Sequence, residues 1–479
     1  MSESKALPVL PNEPPQGTGE SEPDFSQPVV QSYMIGIFLG VNAIEDTYLL
    51  VEGPDCIHMK TQYVQGNHDW LSTLTSVSGY HRVANTALHP VEMTASRERE
   101  LSEFLQRMAA RDHVDGLLFT SMPMAFITGA DYDRLCSEVG EATGKTIVPI
   151  AGKSLSGDFL DGYAEVLQGL AKALPLEGGE PDPKKVALIG NLFDRNEGDN
   201  RGNVRHLREL IEGLGVEVTS IWLEGRRFHE LSAVKDAGVV VSLPYGRRAA
   251  KRVARRTGAK LVESPLPFGL EATEQMLRLI AETTGTEDRL PSVLDRGLAE
   301  VIPSLEWIQP FMLQGRKVGF VGDPHLAEAM HQALKVVGAE LVVAVITNYP
   351  HHARKLAEKL GSGVELIVGP RQMAMSRQLS EAMNRLGVDL LVANSEGANV
   401  GPEIASVELG FPSIYTHALY DRPFLGFQGF LAFVDSWTNA TRRNELYRHH
   451  AKYMKGGAGD GGQDEGRKKE EVRRLAPTA

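Results

Sequence analysis

Cysteine is scarce in this sequence: Cys56 and Cys136 are the two cysteines among 479 residues. Two thiols cannot form the disulfide framework of a secreted scaffold, and they fit a reducing compartment. They are also too few for a four-cysteine metal centre that this chain would build alone. The polar, Pro-rich beginning lacks the basic start and apolar core of a secretion signal. We therefore expect a cytoplasmic protein.

Long hydrophobic runs and an excess of positive charge are missing as well. The longest apolar runs, such as Val239–Leu243 and Leu341–Ile346, have the length of a strand and not of a membrane-spanning helix. The net charge is −12, from 50 basic and 62 acidic residues. The sequence therefore predicts neither a transmembrane protein nor a general binder of nucleic acid or anionic membranes.

Nucleotide-binding motifs are absent too. Gly322-Asp323-Pro324 precedes a predicted helix, where a phosphate could bind, but there is neither a GxGxxG motif nor a Walker A lysine. The Asp323 carboxylate would repel phosphate, so we expect it to cap the helix. We expect no ATP site in this chain.

The chain alternates short apolar strand-like segments with helix-like segments that end at glycine. The helix predicted for Tyr132–Thr143 ends at Gly144, and the one predicted for Arg247–Thr257 ends at Gly258. This order repeats in three blocks, which is typical of parallel sheets covered by helices. We predict an α/β protein of three consecutive Rossmann-like domains with mainly parallel sheets. The expected domains are 32–180, 184–295 and 296–445, between tails 1–31 and 456–479 that we expect to be disordered.

Ligands of open parallel sheets bind beyond the carboxyl ends of the strands. Three polar loops are predicted there, Asn191–Gly202, Asn348–His352 and Asn394–Gly401, and we expect an interdomain cleft near them. The Asn191–Gly202 loop suits a ligand, and it equally suits a solvated surface turn.

Cys56 is the first candidate site residue, because it follows a predicted strand and the small loop Gly53-Pro54-Asp55. Glycine lets a cluster approach the backbone, and a thiolate is the ligand that iron–sulfur clusters use. The alternative is a lone cysteine that packs as a small hydrophobic side chain. A mononuclear metal site is a further alternative, because the stretch after Cys56 carries His58, His68, Asp69, His81 and His89.

The order and spacing of these segments resemble the nitrogenase component 1 family. That family includes molybdenum–iron protein subunits, their cofactor-assembly relatives and the subunits of dark-operative protochlorophyllide reductase. The resemblance covers about Tyr33 to Asn439. Its matching segments are Leu49–Cys56, Val186–Gly190, Gly215–Val218, Pro265–Thr273, Lys317–Pro324, Asp389–Ser395, Leu409–Pro412 and Gly426–Phe430.

The resemblance implies that Cys56 is the first cysteine ligand of a cluster. A second family cysteine would fall around Tyr80, His81 and Arg82, and a third would fall at Met122 in Ser121-Met122-Pro123. His81 can ligate iron, whereas packing is the expected role of Met122. In the reductase relatives an aspartate in the first loop can complete a cluster, so Asp55 is a further candidate. Cys136 matches no family motif, and we expect it to be structural.

The resemblance further implies a subunit of a nitrogenase-like reductase, with an iron–sulfur cluster shared with an identical or homologous partner subunit. An ATP-dependent iron-protein partner would supply electrons, and a small-molecule substrate would bind in the interdomain cleft. The large nitrogenase cofactor is not expected, because no cysteine follows Cys136. One alternative is a scaffold or cofactor-assembly subunit that has lost the cluster. Another is a glycosyltransferase of the double-Rossmann type, against which the three repeated blocks count.

Overall fold

The computed structural model describes residues 25–75, 81–94, 96–153, 155–400 and 403–456. The predicted tails lie largely outside these residues, at 1–24 and 457–479. Three parallel sheets follow one another along the described chain, and helices cover them. The prediction of an α/β protein with three Rossmann-like units is confirmed.

The first unit contains a four-stranded sheet in the order β2-β1-β3-β4. Every pairing between these strands is parallel. Helix α1 is buried along its whole length and packs on α5 through two glycines, Gly36 and Gly162, each of which lies against the backbone of the other helix. Its elements are α1 Tyr33–Asn42, β1 Thr47–Glu52, α2 Ile57–Tyr63, β2 Val83–Asn85, α3 Glu98–Ala109, β3 Gly116–Ser121, α4 Tyr132–Thr143, β4 Thr146–Pro149 and α5 Phe159–Ala173.

The second unit contains a four-stranded parallel sheet in the order β6-β5-β7-β8. The long helix α9 follows it and crosses the boundary predicted at residues 295 and 296, so this helix itself connects the second unit to the third. The elements are β5 Asp182–Ile189, α6 Gly198–Glu212, β6 Glu217–Ile221, β7 Ala237–Ser242, α7 Arg247–Thr257, β8 Lys260–Glu263, α8 Leu270–Thr284 and α9 Leu290–Ile308.

The third unit contains a five-stranded parallel sheet in the order β11-β10-β9-β12-β13. Its last helix, α13, packs back on the second unit. The elements are β9 Lys317–Gly322, α10 Pro324–Val336, β10 Glu340–Ile346, α11 Leu356–Leu360, β11 Glu365–Val368, α12 Gln372–Leu386, β12 Leu390–Ala393, β13 Ala405–Glu408 and α13 Gly426–Gly456.

One apolar core runs through all three units. Leu49 of β1, Val240 of β7 and Phe320 of β9 belong to a single continuous cluster of buried side chains. Because burial of apolar surface drives folding, this shared core fixes the units against one another. None of the helices in the described ranges combines the length and the apolar character needed to span a bilayer.

Residues 25–31 correct the predicted N-terminal tail. The Val29 amide donates to the Pro370 carbonyl at 2.8 Å, and the Val29 side chain joins the apolar cluster of the third sheet. The Gln31 side chain donates to Glu396 Oε1 at 2.7 Å. The prediction of disorder was wrong for these residues, because local composition does not reveal a distant apolar site that buries a single valine.

Candidate functional site

Cys56 lies where the sequence placed it, just beyond the carboxyl end of the central strand β1 and at the start of α2. Its side chain is exposed. The Gly53 amide donates to Thr86 Oγ1 at 3.2 Å, and the Leu88 amide donates to the Gly53 carbonyl at 3.0 Å. These bonds tie the loop before Cys56 to the chain that follows β2, so the exposed thiol stands on a fixed backbone.

Met122 lies beside this loop, at the carboxyl end of β3. Its amide donates to the Glu52 carbonyl at 2.9 Å. A Cβ atom added to Gly53 would come within 2.5 Å of Met122 Cγ, so the absent glycine side chain makes room for the methionine. The Met122 side chain also packs against the main apolar core. The expected packing role of Met122 fits this position.

Two of the predicted histidines gather beside the Cys56 loop. The His58 and His81 ring centroids are 6.1 Å apart, and His58 Nε2 lies 3.0 Å from Asn85 Nδ2. Asp55 and His81 are exposed, whereas Tyr80 lies outside the described residues. Among the described residues, no group of three His, Cys, Asp or Glu ligand atoms spaced to hold one metal ion includes Cys56. His58 and His81 therefore lie side by side, and Cys56 takes part in no closed mononuclear site among the described residues.

Arg82, near the expected second cysteine position, has a structural role. Its side chain is buried, and Nη1 donates to the carbonyl oxygens of Val41, Ile44 and Thr47 at 2.9, 2.6 and 2.9 Å. Burial lowers the pKa of Arg82 to about 10, which leaves the guanidinium charged at neutral pH. The arginine thus satisfies the carbonyl groups where the chain passes from α1 to β1.

His68 and Asp69 do not join Cys56, although the sequence grouped them with it. Asp69 is fully buried and accepts from Asn42 Nδ2 at 2.7 Å and from the Asn196 amide at 2.9 Å. The His68 ring is also buried, and its Nδ1 accepts from the Ser413 amide at 3.0 Å. Both residues therefore connect the first unit to the other two.

Cys136 is buried in the core of the first unit, on α4. Burial raises the pKa of its thiol to about 12. The expectation of a structural cysteine agrees with this environment, and of the two thiols only Cys56 is accessible.

A cavity of about 690 Å³ lies between the middle and third units. This size suits a small molecule. The loops after β5 and β13 and part of α13 form its walls. Charged and polar side chains that line it include Asp194, Arg195, Tyr245, Asp323, His417 and Arg443.

The Asn191–Gly202 segment forms one wall of this cavity. Asn191, Arg195 and Glu197 are buried, which rules out the alternative of a solvated turn. Helix α6 begins at Gly198, so the end of this predicted loop is helical. Gly198 lies directly against the Tyr420 carbonyl, where a side chain would not fit. The described parts of the other two predicted loops do not line the cavity.

Asp194 lines the cavity and faces the buried His68, and burial favours the neutral form of both groups. His68 Nε2 lies 3.5 Å from Asp194 Oδ2. Burial, with a smaller effect of Asp199, raises the pKa of Asp194 to about 7. Burial and the nearby Arg195 charge lower the pKa of His68. A carboxyl group that is partly protonated at neutral pH can donate a proton to a molecule in the cavity.

Asp323 caps the N-terminus of α10, as the sequence predicted. It accepts from the His325 and Leu326 amides at 2.9 and 3.1 Å at the start of α10. The Tyr245 hydroxyl donates to the same carboxylate at 3.1 Å. Tyr245 follows β7, so this bond connects the middle and third units at the cavity wall.

Glu197 organises the rim of the cavity, where all three units meet. It accepts from the Trp70 amide at 3.1 Å and from the Ala418 amide at 2.8 Å, and its Oε1 lies 2.7 Å from His417 Nδ1. The Trp70 and His417 rings stack with centroids 3.5 Å apart. Trp70 remains 60% exposed, so a ring of the first unit covers a histidine of the third at the solvent boundary.

The family model described as "Nitrogenase component 1 type Oxidoreductase" matches residues 32–442. The chain belongs to this family. The match covers the three sheets, both loops around Cys56 and Met122, and the cavity up to the middle of α13.

Two curated relatives show how far this nitrogenase component 1 type chain has diverged. It is 26% identical over 344 residues to "Light-independent protochlorophyllide reductase subunit N" of Roseiflexus sp. (strain RS-1), which covers 70% of this chain and 77% of the relative. It is 22% identical over 453 residues to "Nitrogenase molybdenum-iron protein beta chain" of Methanococcus maripaludis. This alignment covers 86% of this chain and 93% of the relative.

The fold of the family is seen in a solved structure titled "Nitrogenase Cp1 at pH 6.5". The superposition covers 90% of this chain and 96% of that one, with a TM-score of 0.75 and 18% sequence identity. At this level of identity the likeness shows a shared fold.

Several residues of this nitrogenase component 1 type site could not be found by sequence reasoning. Trp70 of the first unit stacks on His417 of the third, and Tyr245 of the second bonds Asp323 of the third, so these pairs form only in the folded chain. Arg195 and Glu197 lie in the polar loop that the sequence did single out. A polar loop at a strand end was therefore an informative pattern. Isolated aromatic residues and histidines gave no signal that marked them as site residues.

Proposed function

We propose that this chain is the subunit of a nitrogenase-like reductase complex in which Cys56 binds an iron–sulfur cluster together with a partner subunit. The observation that carries the proposal is the exposure of Cys56 on a fixed loop at the carboxyl end of β1. A thiol that completes a cluster across a subunit interface must be accessible before the subunits assemble. A lone structural cysteine would be expected inside, as Cys136 is.

The residues around Cys56 fit a shared cluster and do not fit one held by this chain alone. The chain contains two cysteines, and Cys136 is buried. A cluster is held mainly by cysteine thiolates, so the partner subunit would supply most of its ligands. Asp55, which precedes Cys56, and His81, which lies beside His58, are both exposed and are proposed as additional ligands. His58 is a weaker candidate, because Asn85 Nδ2 lies 3.0 Å from its Nε2.

The surface next to Cys56 fits a partner subunit. The Met59 amide donates to the Cys56 carbonyl at 3.3 Å, and the Met59 side chain is 74% exposed. An exposed large apolar side chain beside a candidate ligand is what a subunit interface buries. The partner is proposed to be a second copy of this chain or a homologous component 1 subunit.

Electrons are proposed to come from a separate ATP-dependent iron-protein, because this chain carries no Walker A motif. The cavity between the middle and third units is the proposed substrate site. Its neutral Asp194 would supply a proton there, and the Arg195–Asp199 pair would fix the wall, with Arg195 Nε donating to Asp199 Oδ2 at 2.8 Å. When bound, the cluster would supply electrons. The cytoplasm remains the predicted location.

The experiment is anaerobic isolation of the chain with its associated homologous subunit, followed by iron analysis. Cys56→Ser is the test variant and Cys136→Ser is the matched control, since the two replace the same side chain at an exposed and a buried position. We expect iron and sulfide in the complex with the native chain and with Cys136→Ser, and a loss of at least half of the iron with Cys56→Ser.

Met122 favours a second candidate function, that of a scaffold subunit of the same fold without a cluster. Its thioether occupies the space over Gly53, and it stands where the family resemblance places a third cysteine. A complex that assembles without iron would establish the scaffold. A complex that keeps all its iron in Cys56→Ser would exclude Cys56 as a ligand of the cluster.

A further inference from the structure

Two neighbouring histidines of the third unit converge on one carboxylate of the first. His351 Nε2 lies 3.0 Å and His352 Nε2 lies 3.1 Å from the same oxygen, Asp161 Oδ2. The two rings are tilted, with centroids 4.0 Å apart. Neighbouring residues usually point apart, so this short turn after Pro350 directs two imidazole nitrogens at a single point.

Asp158 holds both sides of this cluster in place. Its Oδ2 accepts from Asn348 Nδ2 at 3.0 Å and from the Tyr349 amide at 2.8 Å, which fixes the loop that carries the histidines. Its own amide donates to Asp161 Oδ2 at 3.0 Å, which fixes the carboxylate at the start of α5. Asp158 is fully buried, so the loop and the helix are joined by a rigid element.

The spacing of the three side chains matches that of metal ligands. Ligand atoms from Asp161, His351 and His352 all lie within 4.8 Å of one another. In a tetrahedral zinc site, with bonds of roughly 2.1 Å, neighbouring ligand atoms are roughly 3.4 Å apart. The observed 3.0 and 3.1 Å separations differ from this by a few tenths of an ångström. Two imidazoles and one carboxylate are ligands that zinc and its neighbours prefer.

A second cluster with similar composition shows what sets this one apart. Asp46, Asp115 and His229 also bring three ligand atoms within 4.8 Å of one another. The Asp46 carboxylate, however, already accepts from the Phe228 amide at 2.7 Å and from Arg227 Nε at 3.0 Å. An arginine beside the carboxylate competes with a cation, and it makes this second cluster a suitable control.

We propose that Asp161, His351 and His352 bind a divalent transition-metal ion of the zinc class, which links the first unit to the third. The His351 side chain is 36% exposed and that of Asp161 is 26% exposed, so an ion can enter from solvent and keep a water ligand. This site is independent of Cys56 and of the proposed cluster. Its bound ion stabilises the arrangement of the units in which the cavity forms.

Without a metal the same atoms form an ion pair. Burial alone would lower the pKa of His352, but its hydrogen bonds to Asp158 and Asp161 raise it to about 9. The geometry of the empty site is thus kept by charge attraction, and a metal ion replaces the shared protons when it binds. The experiment must therefore distinguish a site that binds a metal ion from an ion pair that binds none.

The experiment uses the full-length chain without a histidine tag, freed of metal by a chelator. Zn²⁺ is titrated against a chromophoric chelator, and Co²⁺ is used to record the visible absorption of a low-coordinate site. We expect one equivalent of Zn²⁺ to bind and to raise the Tm. His351→Gln and His352→Gln should each weaken binding at least tenfold and remove the Co²⁺ absorption.

Two further variants, His229→Gln and Cys56→Ser, make the result decisive. His351→Gln leaves the Asp158–His352 contact in place, so it tests the site even if His352→Gln disturbs the fold. His229→Gln controls for the second cluster, and Cys56→Ser excludes binding by the thiol. The proposal is overturned if no single equivalent of Zn²⁺ binds, if binding survives both His351→Gln and His352→Gln, or if it is lost in His229→Gln or Cys56→Ser.

Discussion

Met122 Cγ occupies the space that a side chain on Gly53 would need, since a Cβ added to Gly53 would approach it to 2.5 Å. This contact joins the ends of two neighbouring strands at the loop that carries Cys56. It explains why glycine precedes the cysteine even though its backbone is not left-handed. The packing of this loop thus depends on a residue without a side chain, Gly53, after β1 and on the flexible side chain of Met122 after β3.

Gly53→Ala should therefore destabilise the first unit by about 1–2 kcal/mol, because the new methyl group overpacks against Met122. Met122→Ala alone should also destabilise the first unit, because packing is lost. The double variant should lose less free energy of unfolding than the sum of the two single losses, because the smaller alanine side chain at position 122 leaves room for the new methyl group. Thermal unfolding of the four proteins measures this coupling. Gly66→Ala, where an added Cβ meets nothing within 4 Å, is the control. Strict additivity would contradict the contact.

The two thiols should differ sharply in alkylation. Burial disfavours the thiolate of Cys136 and raises its pKa to about 12, so at pH 7 to 9 this group remains a protonated, inaccessible thiol. Cys56 is exposed and should react with iodoacetamide in the folded chain. Mass spectrometry should find one labelled cysteine at both pH values, and two after denaturation. Labelling of Cys136 in the folded chain would contradict its position.

Arg82→Gln should lower the free energy of unfolding by about 3 kcal/mol, because the buried carbonyl groups of Val41, Ile44 and Thr47 lose their shared donor. Arg99, whose side chain is 89% exposed, provides the matched control, and Arg99→Gln should change stability by less than about 0.5 kcal/mol. Equal stabilities of the two variants in urea unfolding would show that Arg82 has no such role.

Glu197→Ala should loosen the cavity rim, since the Trp70 amide, the Ala418 amide and His417 would lose a common partner. We expect a loss of about 2–4 kcal/mol and stronger acrylamide quenching of tryptophan fluorescence. Trp70→Phe, alone and combined with Glu197→Ala, identifies the contribution of Trp70. Unchanged quenching in Glu197→Ala would mean that Glu197 does not hold the stacked rings.

Local patterns in the sequence predicted much of the fold. The helices Tyr132–Thr143 and Arg247–Thr257 have the predicted bounds, because glycine in a left-handed conformation ends each one. Helix α1 was not predicted, since all ten of its residues are buried and its sequence shows no polar face. A helix that packs on every side loses the periodicity from which helices are inferred.

The candidate site was predicted only where one segment carried the chemistry. Cys56 and the Asn191–Gly202 loop follow strands, and the rule that ligands bind beyond the carboxyl ends of strands placed them correctly. The contacts of His68 with Ser413 and of Trp70 with His417 join residues more than 300 positions apart. Such contacts depend on how the units pack, and no local pattern contains that information.

The iron content of the anaerobically isolated complex tests the central proposal most directly. The proposal predicts iron and sulfide in the complex with the native chain and an electron paramagnetic resonance signal in one of its redox states. Cys56→Ser should lose this signal and at least half of the iron, and Cys136→Ser should keep both. A complex that forms without iron, or that retains its iron and its signal in Cys56→Ser, would contradict a role of Cys56 in binding the cluster.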